Sequence, residues 1–358
     1  MMFNVGIATK RSLFMATITK RENGKWQAKV RRKGFKGQSR TFAKKSDAEI
    51  WVRKVETAMD QSTFKSTDAA KKKLVVEALE QYWEEALAEK KSSKSIMYMN
   101  DRIKKVFEGF SLLDVSIENI REYKKYRLET VVGDTVRKEL GHLERMFKYA
   151  MNEWQIHLPN GNPVTPISLP PKGKARDRRL PRHEQAVLMT YAEQYDGKID
   201  EIITLAIETA MRQGEIVNGR SREQLNKWGY SCMCWENFDE VNSTILLTDT
   251  KNDEKRIVPL SNRAKEIILA QPRMKSGPIF DISVYTVGGA FRKVVKRAGI
   301  KNLRFHDLRH EATSRFFEET TLNMMEIAAI TGHKDLASLK RYTHLCPKML
   351  AEKLAKSA

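Results

Sequence analysis

Alternating apolar and polar residues near the start of the chain predict three short strands, over Ala16–Lys20, Lys25–Arg31 and Ser39–Phe42. Asn23-Gly24 lies between the first two strands, and Asn-Gly readily takes the positive φ angles of a tight hairpin turn. A helical repeat of apolar residues follows, and Ser46 with Glu49 forms the pattern of a capping box at its start. The sequence therefore predicts an N-terminal domain, residues 1–66, in which one helix backs a three-stranded sheet.

Helical spacing of apolar side chains recurs from Lys73 to Trp154 and predicts four helices. The clearest stripe begins at Val136. We expect these helices to pack into a second domain, residues 73–158. Five of the ten prolines and a basic cluster follow, over residues 159–179. Because proline stiffens the chain and removes backbone donors, this segment is predicted to be an extended, solvated linker.

Helical and strand patterns are mixed over the third predicted domain, residues 180–345. A helix over Ile199–Met211 precedes three strands, and the last two strands put Lys251 at the tip of a hairpin. The predicted strands are Cys232–Phe238, Thr244–Thr250 and Arg256–Leu260. Further helices are predicted near 262–270 and 285–298, and in a C-terminal tail at 346–358. The chain is thus expected to be multidomain and mainly α-helical, with small β-sheets.

The charge of the chain points to an anionic partner. With 65 Lys and Arg against 45 Asp and Glu, the formal net charge is +20 and the pI about 9.7. Such an excess attracts polyanions, although ribosomal, chromatin and membrane-surface proteins share it. Nine basic residues and no acidic one lie between Lys25 and Lys45, which favours a DNA-reading ribbon over a merely solvated face. The DNA-binding candidates, two of them on the fourth helix of the second domain, are Lys29, Arg31, Arg32, Lys33, Lys36, Arg137 and Lys138.

Other classes of protein fit the sequence less well. Apolar runs are too short for a membrane-spanning helix and the N-terminus lacks a clear signal-peptide pattern, so we expect a cytoplasmic protein without a membrane partner. Cys232, Cys234 and Cys346 form an odd set without metal-type spacing, which fits a reducing compartment. We interpret the first two as ordinary strand residues, because nothing nearby supplies two further metal ligands.

Four of the seven histidines are concentrated around one tyrosine, Tyr342. They are His306, His310, His333 and His344. A phenol is a poor nucleophile at neutral pH, so it needs a proton acceptor and a cationic site for an anionic target. One arginine side chain can bind two oxygens of a phosphate at once, and histidine exchanges protons near neutral pH. His306 and Arg309 are three residues apart and share a helix face, so both can face one ligand. Cleavage of a phosphodiester by Tyr342 is the first hypothesis.

Five features, in order, resemble the active site of the tyrosine recombinases, the phage integrase family. They are Arg212 with Glu215, Lys251 on a hairpin, the run His306-Asp-Leu-Arg309-His310, the pair Gly332-His333, and Tyr342 nine residues later. The sequences of residues 208–216 and 305–332 are most similar to those of shufflon-type recombinases and prophage integrases. The resemblance implies an arm-type DNA-binding domain, a helical core-binding domain and an α+β catalytic domain.

The resemblance also implies a role for each matching residue. The catalytic set is Arg212, Lys251, His306, Arg309, His333 and Tyr342. The tyrosine would form a 3′-phosphotyrosyl bond and release a 5′-hydroxyl, while the two arginines clamp the phosphate oxygens. The two histidines would bind the phosphate and assist proton transfer, and the lysine would protonate the leaving oxygen. Glu215 is expected to orient Arg212, and His310 is interpreted as a buried structural histidine.

Neither a metal nor ATP is expected, because no carboxylate cluster or phosphate-binding loop accompanies these residues. The i, i+4 pair His306 and His310 has the spacing of a zinc site, but Arg309 would repel a cation. The implied partners are double-stranded DNA attachment sites and a homotetramer in the synaptic complex. A DNA-bending host factor and an excisionase are implied as accessory proteins, and the implied location is the bacterial nucleoid.

The favoured function is the integration or excision of a prophage or other mobile element, because the N-terminal module resembles arm-site binders. Three alternatives remain open. They are a shufflon-type DNA invertase, an enzyme like the type IB topoisomerases, and a catalytically silent DNA-binding protein. The polar stretch Val217–Tyr230, which precedes Trp235, departs from the family pattern and has no assigned role.

Overall fold

The computed structural model describes residues 14–61, 65–174, 176–248 and 255–342. The chain divides into two compact units, Met1–Lys174 and Ala175–Ala358. The predicted hairpin tip at Lys251 and the predicted tail helix at 346–358 lie outside the described residues.

The first unit begins with an antiparallel sheet in the order β1-β2-β3. Its strands are β1 (Phe14–Lys20), β2 (Trp26–Arg32) and β3 (Phe35–Phe42), and helix α1 (Lys45–Asp60) packs on one face. Side chains alternate between the two faces of a strand. Ala28 and Val30 are therefore buried beneath α1, while Lys29 and Arg31 are exposed on the open face. The three-stranded sheet backed by one helix was predicted from the sequence.

The start of α1 differs from the prediction. Lys44 takes the N-cap position in an extended conformation and makes no side-chain cap. Ser46 lies inside the first turn instead of capping it, so the capping-box prediction is wrong. Packing of the apolar face stabilises the helix instead, because Ala48, Val52 and Met59 are all buried against the sheet.

Five further helices are found in the described residues of the first unit. They are α2 (Asp68–Lys72), α3 (Val75–Ala86), α4 (Ser93–Val106), α5 (Ile117–Thr130) and α6 (Gly133–Asn152). Their apolar stripes form a second hydrophobic cluster, separate from that of the sheet. Inside it, Arg127 donates two hydrogen bonds of 2.9 Å to the buried carboxylate of Glu139, which also accepts one from Tyr123. The sheet cluster lies within the predicted first domain, residues 1–66, whereas the helical cluster extends beyond the predicted range 73–158, to Ala70 at one end and Ile167 at the other. The independence of the two domains stays a prediction.

The predicted linker at residues 159–179 is solvated only in part. Its described residues, 159–174 and 176–179, form no helix or strand, yet Val164 and Ile167 are buried in the helical cluster. At its other end Arg176 pairs with Asp307 at 2.7 Å, within the second unit. Residues 171–174 form its longest exposed run among the described residues, and shorter exposed stretches lie at 159–160, 165–166, 168–169 and 177.

The second unit contains helices α7 to α14 and a small antiparallel sheet in the order β4-β5-β6. The strands are β4 (Phe238–Asp239), β5 (Thr244–Leu247) and β6 (Arg256–Pro259). The helices are α7 (Arg182–Glu193), α8 (Ile199–Thr209), α9 (Gln213–Ile216), α10 (Arg222–Trp228), α11 (Asn262–Leu269), α12 (Val284–Arg297), α13 (Phe305–Glu319) and α14 (Met324–Thr331). The central helix α8 is buried over most of its length and packs against α13. None of the helices in the described ranges is long and apolar enough to cross a bilayer.

Two local predictions in this unit need correction. The strand expected over Cys232–Phe238 is a short bridge at Cys234 followed by a 3-10 turn, Trp235–Asn237. These residues are buried, so an apolar run was mistaken for a strand. The polar stretch before it contains α10, which Ser221 caps by accepting from the backbone of Gln224.

Packing of the helical cluster gives a stability prediction. We expect Leu143→Ala, at a fully buried position of α6, to lower the free energy of unfolding of the first unit by roughly 2–5 kcal/mol. Leu128→Ala is the matched control, because Leu128 on α5 is 42% exposed. It should change stability by less than about 0.5 kcal/mol. Urea denaturation measures both, and equal losses would contradict the position of the core.

Candidate active site

A buried carboxylate organises two arginines at the start of α9. Arg212 is the N-cap residue; its backbone N–H donates to Glu215 Oε2 at 2.8 Å and its Nη1 to Oε1 at 2.7 Å. Arg256, on β6, donates from both terminal nitrogens to the same carboxylate, at 3.0 and 2.7 Å. Burial alone would raise the pKa of Glu215, but the arginine hydrogen bonds outweigh it and lower that pKa to about 2. Glu215 therefore stays ionised and fixes both guanidinium groups.

Arg309 is buried beside this group. Its Nη1 donates to the carbonyl of Ala210 and its Nη2 to that of Thr331, each at 2.6 Å. Ala210 ends α8 with a left-handed φ of +53°. Burial, followed by repulsion from Arg212, lowers the pKa of Arg309 to about 9. The guanidinium is thus held in place by neutral acceptors, and its charge is left for an anion.

His333 lies directly after α14, behind the left-handed Gly332. Its Nδ1 is 2.6 Å from Thr331 Oγ1, and that hydroxyl donates to the carbonyl of Ile327 at 2.6 Å. The hydroxyl must therefore accept from Nδ1–H, which leaves Nε2 as the unprotonated nitrogen of the neutral ring. Burial and the nearby Arg309 lower the pKa of His333 to about 4, so the ring is neutral at pH 7.

Gly332 meets a further constraint besides its φ of +71°. A Cβ at this position would lie 3.0 Å from Nη1 of Arg256. Arg256 also donates from Nε to the carbonyl of Ile330 at 3.1 Å, which ties β6 to the end of α14. Glycine is thus favoured by the backbone conformation, and any larger residue would press on this arginine.

Tyr342 lies in the 3-10 turn Lys340–Tyr342, with its ring packed among apolar residues that include Ala328 and Leu339. Its hydroxyl forms a hydrogen bond with Nδ1 of His310, and the two rings stack with centroids 5.9 Å apart. Burial raises the pKa of Tyr342, while the positive charges of Arg341 and Arg309 act in the opposite direction. The phenol is therefore protonated at pH 7 but close to the arginine group.

The structure brings together four of the six predicted catalytic residues, Arg212, Arg309, His333 and Tyr342. The charges of Arg212 and Tyr342 act on the pKa of Arg309, and those of Arg309 and Arg212 act on the pKa of His333. His306 is exposed one turn before His310, with ring centroids 5.0 Å apart. Lys251 lies outside the described residues. The expectation that Glu215 holds Arg212 is confirmed.

The predicted DNA-binding residues differ in their surroundings. Four of them are exposed on or beside β2 and β3: Lys29, Arg31, Lys33 and Lys36. Arg32 instead points toward the end of α1, where it pairs with Asp60 at 3.1 Å. On α6, Lys138 is exposed, whereas the guanidinium of Arg137 donates to the carbonyl of Pro170. DNA contact by these seven residues stays a prediction.

Two residues of this site were not predicted to act in it. Arg256 carried no signal, because a basic residue at the start of a strand is usually solvent-exposed. His310 was interpreted as structural, but it contacts the hydroxyl of the predicted nucleophile. Its position one turn after His306 on the same helix face was the available signal. In the part of the chain that the structure describes, no three His, Cys, Asp or Glu side chains are grouped to hold a metal ion.

Comparison with known proteins gives consistent matches. The sequence model of the phage integrase family matches residues 178–349. A shufflon-specific DNA recombinase of Escherichia coli is 37% identical over 286 residues, which are 77% of this chain and 70% of that protein. A lambda integrase dimer bound to a core site has a similar structure over 94% of this chain and 96% of the other, with a TM-score of 0.61 and 18% identity. A lambda integrase tetramer bound to a Holliday junction matches 89% of this chain and 95% of the other, with a TM-score of 0.60 and 17% identity. The predicted fold class is confirmed.

The pKa of Glu215 leads to a prediction about stability. A carboxyl whose pKa falls on folding stabilises the protein above its ordinary pKa of 4.5 and loses that effect as pH falls toward 2. Glu215→Gln should therefore lower the free energy of unfolding by roughly 3–5 kcal/mol at pH 7, and by much less at pH 3. Urea denaturation at several pH values tests this, with the exposed Glu193→Gln as control. A pH-independent loss would contradict the ion-pair assignment.

Proposed function

Because this chain belongs to the phage integrase family of tyrosine recombinases, we propose that it breaks and rejoins DNA at specific sites with Tyr342 as nucleophile. The observation that carries the residue assignment is the arrangement of Arg212, Arg256 and Arg309 around Glu215, close to that tyrosine. A buried cationic group that its own carboxylate only partly neutralises suits a phosphodiester.

In the proposed reaction the oxygen of Tyr342 attacks the scissile phosphorus and forms a 3′-phosphotyrosine. The bond to the 5′-oxygen breaks, and that oxygen leaves as a hydroxyl. Arg212 and Arg309 bind the non-bridging oxygens, where negative charge grows in the transition state. The energy of the broken ester is kept in the covalent link, so rejoining needs no ATP.

The remaining proton transfers are assigned from the family pattern. Lys251 is proposed to protonate the leaving 5′-oxygen, and His306 and His333 to bind the phosphate. For His333, the hydrogen bond to Thr331 supports this role, because it fixes the ring and directs protonation to Nε2. A phosphate anion nearby would also raise the pKa of His333 from its value of about 4.

Double-stranded DNA is the proposed partner, bound by both units. On the open face of the N-terminal sheet, Lys29 lies opposite Thr17 of β1 and Ser39 of β3, and Arg31 lies on the same face of β2, so this part of the face is polar and basic. Such a face fits a DNA groove, and Lys138 would contact phosphates. By analogy with the lambda integrase tetramer on a Holliday junction, we propose a homotetramer in the synaptic complex.

Two biological roles remain within this chemistry. Integration or excision of a mobile element is favoured by the N-terminal sheet, which would let one protein bridge distant sites. Inversion is the second candidate, because the shufflon-specific recombinase is 37% identical. A DNA-bending factor and an excisionase would accompany the first role. Either activity would place the protein on the DNA of the bacterial nucleoid.

Covalent capture tests the nucleophile. Native protein incubated with a library of nicked duplexes of random sequence should retain some DNA through denaturation in detergent, and the retained DNA reports the target site. Tyr342→Phe should bind the selected duplex but form no adduct, because the attacking oxygen is missing. EDTA should leave the native reaction unchanged. An adduct with the phenylalanine variant would contradict the assignment.

The salt dependence of binding tests the N-terminal sheet. Each phosphate neutralised by a basic side chain contributes a slope of about −0.9 to log K against log salt. Lys29→Ala and Arg31→Ala should each reduce the slope for a random-sequence duplex by about 1. Lys54→Ala, an exposed lysine on α1, is the control and should leave the slope unchanged. If all three variants show the same slope, the open face of the sheet does not contact DNA.

A further inference from the structure

The hydrogen bond between Tyr342 and His310 gives the proposed nucleophile a neighbour to which the proposed reaction assigns no chemical step. His310 lies on α13, directly after Arg309, and its Nδ1 bonds to the tyrosine hydroxyl. The rings are 5.9 Å apart and inclined by 28°, so the imidazole is stacked beside the phenol. This geometry puts a basic nitrogen at the atom that must lose a proton.

The other two histidines are placed differently. Nδ1 of His333 is taken by the hydroxyl of Thr331. His306 is exposed and meets the ring of His310 edge-on, at an interplanar angle of 85°. Their positions suit binding of a phosphate, whereas His310 directly contacts the phenolic oxygen.

We propose that His310 is the proton acceptor for Tyr342 when that oxygen attacks the DNA phosphate. This inference rests on the proposed function. The phenolic oxygen uses a lone pair to form the bond to phosphorus, and its proton moves to Nδ1 of His310. The bond between phosphorus and the 5′-oxygen breaks with its electron pair on that oxygen, which takes a proton from a separate acid, assigned to Lys251. When the strand is rejoined, His310 returns the proton to the tyrosine.

Burial and the charges around His310 keep its ring neutral, so a ring nitrogen is available to accept a proton. Burial lowers its pKa to about 4, and His306, Arg341 and Arg309 act in the same direction, while Asp307 opposes them. The imidazole is therefore neutral at pH 7, and Nδ1 is an acceptor if the ring proton lies on Nε2. A bound phosphate adds negative charge and favours the protonated ring in the transition state.

The surroundings of Tyr342 make its hydroxyl the proton donor to His310. Burial keeps the phenol protonated in the free protein, so its O–H is the donor toward His310. As the bond to phosphorus forms, the oxygen loses electron density and its proton becomes acidic. Arg309 and Arg341 stabilise the negative charge on that oxygen, and Arg341 lies 5.6 Å from the ring centroid.

The pH profile of adduct formation separates proton transfer from packing. With the duplex captured by native protein, His310→Ala should lower the rate at pH 7 by roughly 10²- to 10⁴-fold. The rate of this variant should then rise by about tenfold per pH unit above pH 7, because only the phenolate can attack. His310→Asn keeps a hydrogen-bonding side chain but cannot take the proton, so it should show the same rise. The native rate should depend on pH much less.

Two controls separate proton transfer by His310 from general damage to the site. His183→Ala, an exposed histidine on α7, should retain the native rate and profile. DNA affinity of the two His310 variants should equal that of the native protein. A loss by the same factor at every pH would show that His310 only packs, and a native rate in His310→Asn would also overturn the proposal. If native protein captures no DNA, the proposed function itself fails.

A sulfur leaving group distinguishes the acceptor from the acid. In a duplex whose scissile 5′-bridging oxygen is replaced by sulfur, the thiolate leaves without protonation. The defect of Lys251→Ala should then be largely relieved, while that of His310→Ala should remain. Relief of the His310→Ala defect would assign this histidine to the leaving group instead, and would contradict the proposal.

Discussion

The second unit depends on buried positive charge that its own side chains neutralise only in part. Glu215 pairs with Arg212 and Arg256, whereas Arg309 is held by two backbone carbonyls. Burying a charge costs free energy unless it is paired, and the lowered pKa of Arg309 reflects this cost. A bound phosphate would supply the missing negative charge. Under the proposed function, the substrate would complete this group of charges.

The fold holds this charge by using the ends of helices and the strand beside them. Arg212 is the N-cap residue of α9, two residues after the left-handed Ala210, and Arg256 lies on β6. The close approach of Arg256 to Gly332 fixes the segment that carries His333. These helix ends and the strand β6 are short. The positions of the arginines therefore depend on the hydrogen bonds between them and Glu215 more than on any one helix or strand. Removal of the carboxylate is therefore expected to affect both stability and chemistry.

Much of this arrangement could be predicted from the sequence, and the exceptions have physical causes. Spacing along the chain identified Arg212, Arg309 and Tyr342, because the same residue types recur in order in a known family. Arg256 could not be found in this way, since its importance comes from a carboxylate distant in sequence. His310 was underestimated for a similar reason: local spacing shows its helix face but not the tyrosine that packs against it.

The most direct test is to identify the residue that carries DNA after covalent capture. Digestion of the trapped complex with nuclease and protease, followed by mass spectrometry, should find a nucleotide attached through its 3′-phosphate to Tyr342. That result would place the reacting phosphorus beside the arginines of the second unit. A nucleotide on any other residue, or a complex without a covalent link, would contradict the account.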